Sequence, residues 1–178
     1  MRNALRTAVV VVVVVVAAFA YVRLAENKGY ALKPGTEAPG FRLPSLAGGE
    51  LDLASQRGKI VVLNFWATWC PPCVAEMPSL ERLYRTLSPE GLSVVTVSTD
   101  EDQAELRRFV SQRGLTLPVL MDPGGRVAAG EYRTTGYPET FLLDRQGRIL
   151  RHVVGPAEWD SPEMMGDLRN LLGGGGAR

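Results

Sequence analysis

A short buried strand that leads into a helix beginning at a cysteine pair constrains this chain more than any other feature. Residues 59–65, KIVVLNF, are apolar and β-branched with little alternation, which predicts a strand buried on both faces. From Pro71 to Leu87, apolar residues recur at helical spacing, which predicts an amphipathic helix. Cys70 and Cys73 lie at its start, so we expect the functional site at the carboxyl end of the strand.

The remaining periodic segments predict an α/β domain. We expect strands at 92–99 and 117–121, a hairpin of 140–143 and 148–154, and helices at 102–113, near 126–132 and at 160–172. This order predicts a central mixed sheet covered by helices on both faces. We also expect Pro78 to kink the first helix, and Asp100 and Asp102 to serve as helix caps.

The N-terminal region carries the layout of an export signal or a membrane anchor. Residues 8–22 are an uninterrupted apolar run that follows Arg2 and Arg6. The run is shorter than the roughly 20 residues that usually span a bilayer, and residues 18–20 resemble a cleavage site. We favour a retained single-pass anchor with an extracytoplasmic catalytic domain, while a cleaved signal and a buried core helix remain alternatives. The predicted organisation is a signal anchor at 1–23, a linker at 24–37, a domain at 38–172 and a flexible tail at 173–178.

Composition narrows the function classes. The formal net charge is +1, and no basic cluster with interleaved aromatic residues is present, so nucleic-acid binding has little support. The 178 residues suffice for one good core. With only two cysteines, an exported chain has no separate structural disulfide framework.

The cysteine pair predicts thiol–disulfide chemistry. Cysteines three residues apart at a helix start lie within the separation that a disulfide tolerates. The helix N-terminus favours a thiolate at Cys70, which makes Cys70 the expected nucleophile and Cys73 the resolving thiol. Pro71 and Pro72 remove two N–H donors from that terminus, so we expect a weaker stabilisation of the thiolate and a reducing pair.

Other roles for these residues have weaker support. Zinc needs further ligands, but the chain has no other cysteine and His152 is its only histidine, so we expect no metal and no cofactor beyond the disulfide. We assign His152 a structural place and no role in the chemistry. Trp66 is expected in the core, whereas Trp69 is expected to wall the site.

Two motifs resemble one family. Residues 65–73, FWATWCPPC, followed by Glu76 and Pro78, and residues 136–144, GYPETFLLD, resemble the TlpA/ResA/DsbE family of membrane-tethered thioredoxin-like proteins. Residues 35–59 resemble the first segment of the family's domain, so the likeness covers about 35–155.

The resemblance implies a thioredoxin-like fold with an inserted helix and strand, which we map to about 102–121. It also implies a cis proline at Pro138 facing the cysteines, which leaves the backbone of Tyr137 free to pair with an extended substrate beside Cys70. Glu76 matches a family position at which a carboxylate tunes the protonation of the cysteines and exchanges a proton with Cys73; an exposed helix glutamate is the alternative. The expected substrate-binding residues are Trp69, Pro71, Pro72 and Tyr137.

Family membership further implies reduction of disulfides in exported partners, often apocytochrome c, with electrons from a membrane thiol donor. A peroxide-reducing redoxin is a second interpretation, which Leu63 and Ala67 weaken because that family is expected to carry proline and threonine there. A copper-site assembly factor lacks its second histidine ligand. A domain with two inert cysteines is the fourth interpretation.

Overall fold

A computed structural model describes residues 32–174, and a five-stranded mixed sheet forms the centre of that part of the chain. The strands are β1 (Arg42–Pro44), β2 (Glu50–Asp52), β3 (Ile60–Trp66), β4 (Leu92–Ser98), β5 (Val119–Met121), β6 (Glu139–Leu143) and β7 (Ile149–Val154). The α-helices are α1 (Pro71–Leu87), α2 (Gln103–Gln112) and α3 (Pro162–Leu172). Short helical turns span Leu53–Gln56, Pro123–Gly125 and Arg126–Glu131.

The strand order places β3 in the middle of the sheet. The order is β5-β4-β3-β6-β7, and β1 pairs with β2 as a separate antiparallel hairpin. β3 runs parallel to β4 and antiparallel to β6, which in turn is antiparallel to β7. The predicted mixed sheet and the thioredoxin-like α/β arrangement are therefore confirmed.

β3 is buried along its whole length, as its lack of alternation predicts. All seven residues are buried. Val62 and Trp66 pack into the core that also holds α1, whereas Val61, Leu63 and Phe65 pack into the core on the opposite face. Because both faces are covered, an apolar residue is favoured at nearly every position of the strand.

Helical residues pack on both faces of the sheet, as predicted, but the two faces are covered unequally. Buried residues of all three helices within 32–174, among them Leu80, Leu106 and Leu168, pack into one core. The other face is covered by the β1–β2 hairpin, by the turn that contributes Leu53, and by the short π-helix Arg126–Glu131, which contributes Val127 and lies where a helix near 126–132 was predicted. Strands of three residues are too short to show a period of two, which is why the hairpin was not predicted from the sequence.

Most element boundaries lie close to those predicted. α1 has its predicted bounds and continues through Pro78 as one helix. The inserted helix and strand are α2 and β5. Asp102 caps α2 by accepting the Ala104 N–H. The expectation of a capping role for Asp100 was wrong, because its carboxylate accepts hydrogen bonds from Thr68 and Ser98 instead.

The segment before the first strand is bound to the edge of the sheet. The Gly35 N–H donates to the Ile149 carbonyl at 2.7 Å, and the Ile149 N–H donates to the Thr36 carbonyl at 2.9 Å. The predicted signal anchor, most of the linker and residues 175–178 of the tail lie outside the described residues. Within 32–174 no helix has the length and apolar character needed to cross a bilayer.

Glu81 fastens the inserted segment to α1. Its carboxylate accepts the Thr116 N–H at 2.9 Å, the Thr116 hydroxyl at 2.5 Å and the Leu117 N–H at 3.0 Å. Arg85 donates to the same carboxylate at 2.6 Å. Burial by itself raises the pKa of Glu81, but these hydrogen bonds outweigh it and hold the pKa below its usual value.

Glu81→Gln should therefore reduce the free energy of unfolding by about 2 kcal/mol at neutral pH, because it removes a charged acceptor from several donors. A carboxyl with a lowered pKa stabilises the fold above its unfolded pKa, here 4.5, and that contribution disappears as the pH falls through the folded value. Urea unfolding across this range should show the parent and the variant converging in acid. Exposed Glu163→Gln is the matched control, and an equal loss at every pH would contradict the prediction.

Candidate active site

Cys70 and Cys73 form a disulfide at the start of α1. Their Cα atoms are 5.3 Å apart, within the normal range for a disulfide. Cys70 is the N-cap residue and is 5% exposed, while Cys73 is fully buried. Cys70 is therefore the sulfur that a second molecule can reach, which is the placement that a nucleophile requires.

The first turn of α1 offers the Cys70 sulfur few donors. The Cys73 N–H points at the Cys70 Sγ, with a nitrogen–sulfur distance of 3.3 Å. Pro71 and Pro72, the two residues between, are exposed prolines without an N–H. A thiolate at Cys70 is thus stabilised by the helix dipole and by fewer backbone N–H groups than an ordinary N-terminal turn supplies.

The cis proline lies beside the disulfide. The Tyr137–Pro138 peptide bond is cis, as the motif implies. The Tyr137 carbonyl oxygen is 3.4 Å from the Cys70 Sγ. The Gly155 N–H donates to the carbonyl of buried Pro138 at 2.9 Å, which ties this loop to the end of β7. Cys70, Tyr137 and Pro138 are therefore brought together from distant parts of the sequence.

The two tryptophans lie in different environments, and Trp66 is in the core as predicted. Trp66 is fully buried and packs against Phe109, with ring centroids 5.6 Å apart. Trp69 is 65% exposed, and its ring lies 5.9 Å from that of Tyr137 in an edge-on arrangement. Trp69 thus presents an apolar surface next to the cis-proline loop.

Asp100 orders the loop that leads to Cys70. It follows β4, is buried, and accepts the Thr68 N–H at 3.0 Å and the Ser98 hydroxyl at 2.6 Å. The Thr68 hydroxyl also donates to this carboxylate. The carboxylate therefore fixes the residues between β3 and the N-cap and leaves the capping of α2 to Asp102.

Glu76 is buried one turn beyond Cys73, so the alternative of an exposed helix glutamate was wrong. The Glu76 side chain accepts the Asn64 amide at 2.8 Å, the Trp159 indole N–H at 3.1 Å and the Ala157 N–H at 3.2 Å. Burial raises the pKa of Glu76 above its usual value, although the hydrogen bonds from Trp159 and Asn64 oppose the rise. A carboxyl with a raised pKa holds a proton more readily than an ordinary glutamate does, which suits it to accept and return one.

Another buried carboxylate, Glu139, was missed by the sequence analysis. It accepts the Thr135 N–H at 2.7 Å and the Gly136 N–H at 3.2 Å, both from the loop before the cis proline. Its other oxygen lies 2.7 Å from the Nε2 of His152. The glutamate in the PETF motif next to the cis proline was the only sequence signal for this group.

The described residues do not supply a metal site. Within 32–174, no group of three or more His, Cys, Asp or Glu side chains is arranged to hold an ion.

Comparison with known proteins agrees with this geometry. Residues 34–152 match the model of the AhpC/TSA family. The chain is 35% identical over 137 residues to the thiol-disulfide oxidoreductase ResA of Bacillus thuringiensis (strain Al Hakam). The aligned region covers 77% of this chain and 78% of ResA. It is 37% identical over 145 residues to the thioredoxin-like protein YneN of Bacillus subtilis (strain 168), and that alignment covers 80% of this chain and 84% of YneN.

Solved structures show the same fold. A Chlorobium tepidum protein described as a thiol:disulfide interchange protein DsbE superposes with a TM-score of 0.72 at 31% identity, covering 79% of this chain and 99% of that one. StoA from Bacillus subtilis superposes with a TM-score of 0.60 at 28% identity, and the superposition covers 67% of this chain and 90% of StoA. The chain therefore belongs to the AhpC/TSA family and, within it, to the thioredoxin-like thiol-disulfide oxidoreductases related to ResA.

Proposed function

We propose that this chain reduces disulfide bonds in exported proteins by exchange through Cys70 and Cys73. The observation that carries the proposal is the position of Cys70, which is the N-cap of α1, the more exposed of the two sulfurs, and 3.4 Å from the carbonyl next to a cis proline. This arrangement supports attack by Cys70 on a disulfide that is presented along the loop.

The reduced enzyme starts the cycle. The Cys70 thiolate attacks one sulfur of the substrate disulfide, forms a mixed disulfide and expels the other substrate sulfur as a thiolate. Cys73 then loses its proton and attacks the Cys70 sulfur, which restores the Cys70–Cys73 disulfide and releases the second substrate thiol. The substrate gains two electrons and two protons, and a thiol donor returns them to the enzyme.

Glu76 is proposed as the group that takes the proton from Cys73. Cys73 is fully buried, so its proton needs a nearby acceptor when the mixed disulfide resolves. Glu76 lies on the next turn of the same helix, and burial raises its pKa toward the range in which it accepts and returns protons.

The setting proposed for this reaction lies outside the cytoplasm. The apolar run at 8–22 and its flanking arginines support a membrane-anchored chain with an extracytoplasmic domain, for which a cleaved signal is the alternative. A reducing pair in an oxidising compartment needs regeneration, so a membrane thiol donor is the proposed source of electrons. Apocytochrome c before haem attachment is the proposed class of substrate, together with other exported proteins that carry disulfides.

Cys73→Ser in the full chain should accumulate mixed disulfides on Cys70, because the resolving attack is removed while the nucleophile remains. Trapped partners should be exported proteins, identified by mass spectrometry after purification under conditions that block free thiols. Cys70→Ser is the matched control and should trap far less. Equal trapping by both variants, or trapping of cytoplasmic proteins alone, would contradict the proposal.

Glu76→Gln should slow the resolving step by about 10²-fold and leave the first attack nearly unchanged. Ellman's reagent separates the two steps, since Cys70 releases one coloured thiolate and Cys73 releases the second. The carboxylate must be ionised to accept the proton, so the second release by the parent should slow as the pH falls below the raised pKa of Glu76, and the variant should lack that dependence.

The matched control for Glu76 is Glu81→Gln, which alters another carboxylate on the same helix, bonded to the segment before β5. It should release both thiolates at the parental rates. If Glu76→Gln keeps the parental pH profile for the second release, Glu76 has no part in the mechanism.

Pro72→Ala should make the pair more oxidising by about 30 mV, because an N–H at the second helical position can donate to the N-cap sulfur. Pro71→Ala is the control, since an N–H at the first helical position does not point at the cap side chain. Equilibration of the full chain with glutathione buffers measures both potentials. A parental potential as oxidising as about −120 mV, typical of a dedicated disulfide donor, would overturn the reducing direction.

A further inference from the structure

The buried carboxylates of Glu76 and Glu139 lie on opposite faces of the sheet. Thr140, which pairs with Asn64, faces Glu76 and the α1 core. Glu139 is the preceding residue, so its side chain points to the other face, where Phe65 is its partner in the register. Glu139 therefore belongs to a different environment from Glu76 and has no part in the proton transfer proposed above.

The hydrogen bonds of Glu139 converge on the loop before the cis proline. One oxygen accepts the N–H groups of Thr135 and Gly136 together with the Thr135 hydroxyl, at 2.7, 3.2 and 3.1 Å. The side chain is only 2% exposed, so an oxygen without a partner would be costly. Thr135 and Gly136 themselves are exposed, and the Glu139 carboxylate is the buried group that holds their backbone.

His152 completes this arrangement from β7. Its Nε2 lies 2.7 Å from the second oxygen of Glu139, and its ring stacks on Phe141 with a centroid distance of 4.1 Å and an interplanar angle of 8°. Phe141 and His152 are paired in the register of β6 and β7, so the strand geometry itself fixes the orientation of the ring. The chain has one histidine, and the fold places it against this carboxylate.

We propose that Glu139 and His152 are a positioning pair that holds residues 135–137 in the conformation that receives an extended substrate segment beside Cys70. The loop is anchored at one end by Glu139 and at the other by the bond from Gly155 to the Pro138 carbonyl. Tyr137 lies between these anchors, and its carbonyl is 3.4 Å from the Cys70 sulfur. The inference rests on the proposed function and assigns substrate docking, rather than sulfur chemistry, to the pair.

The pair should therefore matter for large substrates and not for small ones. A small disulfide reagent needs only an accessible Cys70 sulfur, whereas a peptide must also pair with the loop backbone. Loss of the histidine partner should loosen the loop and weaken peptide docking, with little change in the rate of the attack once the peptide is bound.

His152→Phe tests this in the full chain carrying Cys73→Ser, because phenylalanine keeps the stack on Phe141 and removes the nitrogen. The probes are a short peptide whose single cysteine is linked to thionitrobenzoate, and Ellman's reagent. By stopped-flow absorbance, His152→Phe should need an about tenfold higher peptide concentration than the parent to reach half of its limiting rate. Its limiting rate with the peptide and its rate with Ellman's reagent should both stay within about twofold of the parental values. His152→Gln restores an N–H donor and should return the peptide value toward that of the parent.

Arg151→Gln is the matched control, since Arg151 is the neighbouring residue of β7 and its side chain bonds to exposed Asp167. Amide hydrogen exchange at Thr135 and Gly136 measures how firmly Glu139 holds the N–H groups of these two residues. This exchange should be faster in His152→Phe than in the parent. Equal slowing of both probes, or no change in the peptide reaction and in the exchange, would overturn the positioning role. A parent that reacts with neither probe would instead overturn the proposed function.

Discussion

The position of the disulfide depends on the burial of β3. Both neighbours of this strand are hydrogen bonded to it, and both of its faces are covered, so its end at Trp66 has little freedom to move. The Thr99 N–H donates to the Trp66 carbonyl at 3.0 Å, and Asp100 then holds Thr68. Within a few residues of a rigid strand the chain reaches Cys70, so the N-cap sulfur is fixed relative to the sheet before α1 adds its dipole.

The alternation of side chains along β6 gives the buried glutamates Glu76 and Glu139 different environments. Glu76 reaches the row formed by Asn64 and Thr140, and burial leaves the pKa of this carboxyl raised in spite of its hydrogen bonds. Glu139, on the opposite face, bonds to two backbone amides and to His152, which makes it an anchor for a loop. The same chemical group is thus proposed for proton exchange on one face and for backbone positioning on the other, because its partners differ.

Local sequence patterns predicted the elements that carry the sulfurs but not the contacts around them. The continuous apolar run of β3, the helical spacing of apolar residues in α1 and the prolines after Cys70 can each be read from a few consecutive residues. The partners of the buried carboxylates are not: Trp159 lies 83 residues from Glu76, and Thr116 lies 35 residues from Glu81. Such pairs depend on the tertiary arrangement of distant segments, and a single sequence has no periodic signal for them. The cis peptide bond was expected only because the motif around Pro138 resembles that of a family.

The low exposure of the nucleophile bears on how such an enzyme selects its substrates. Cys70 is 5% exposed, and its sulfur lies 3.4 Å from the Tyr137 carbonyl, so a disulfide that reaches this sulfur also lies close to the cis-proline loop. Thiolate reactivity alone distinguishes poorly between disulfides of similar potential, since every attack passes through the same kind of intermediate. In the proposed docking, differences in affinity arise where the substrate backbone pairs with the segment held by Glu139. The proposed function therefore assigns selectivity to the loop and its buried anchor, and the reducing direction to the first turn of α1.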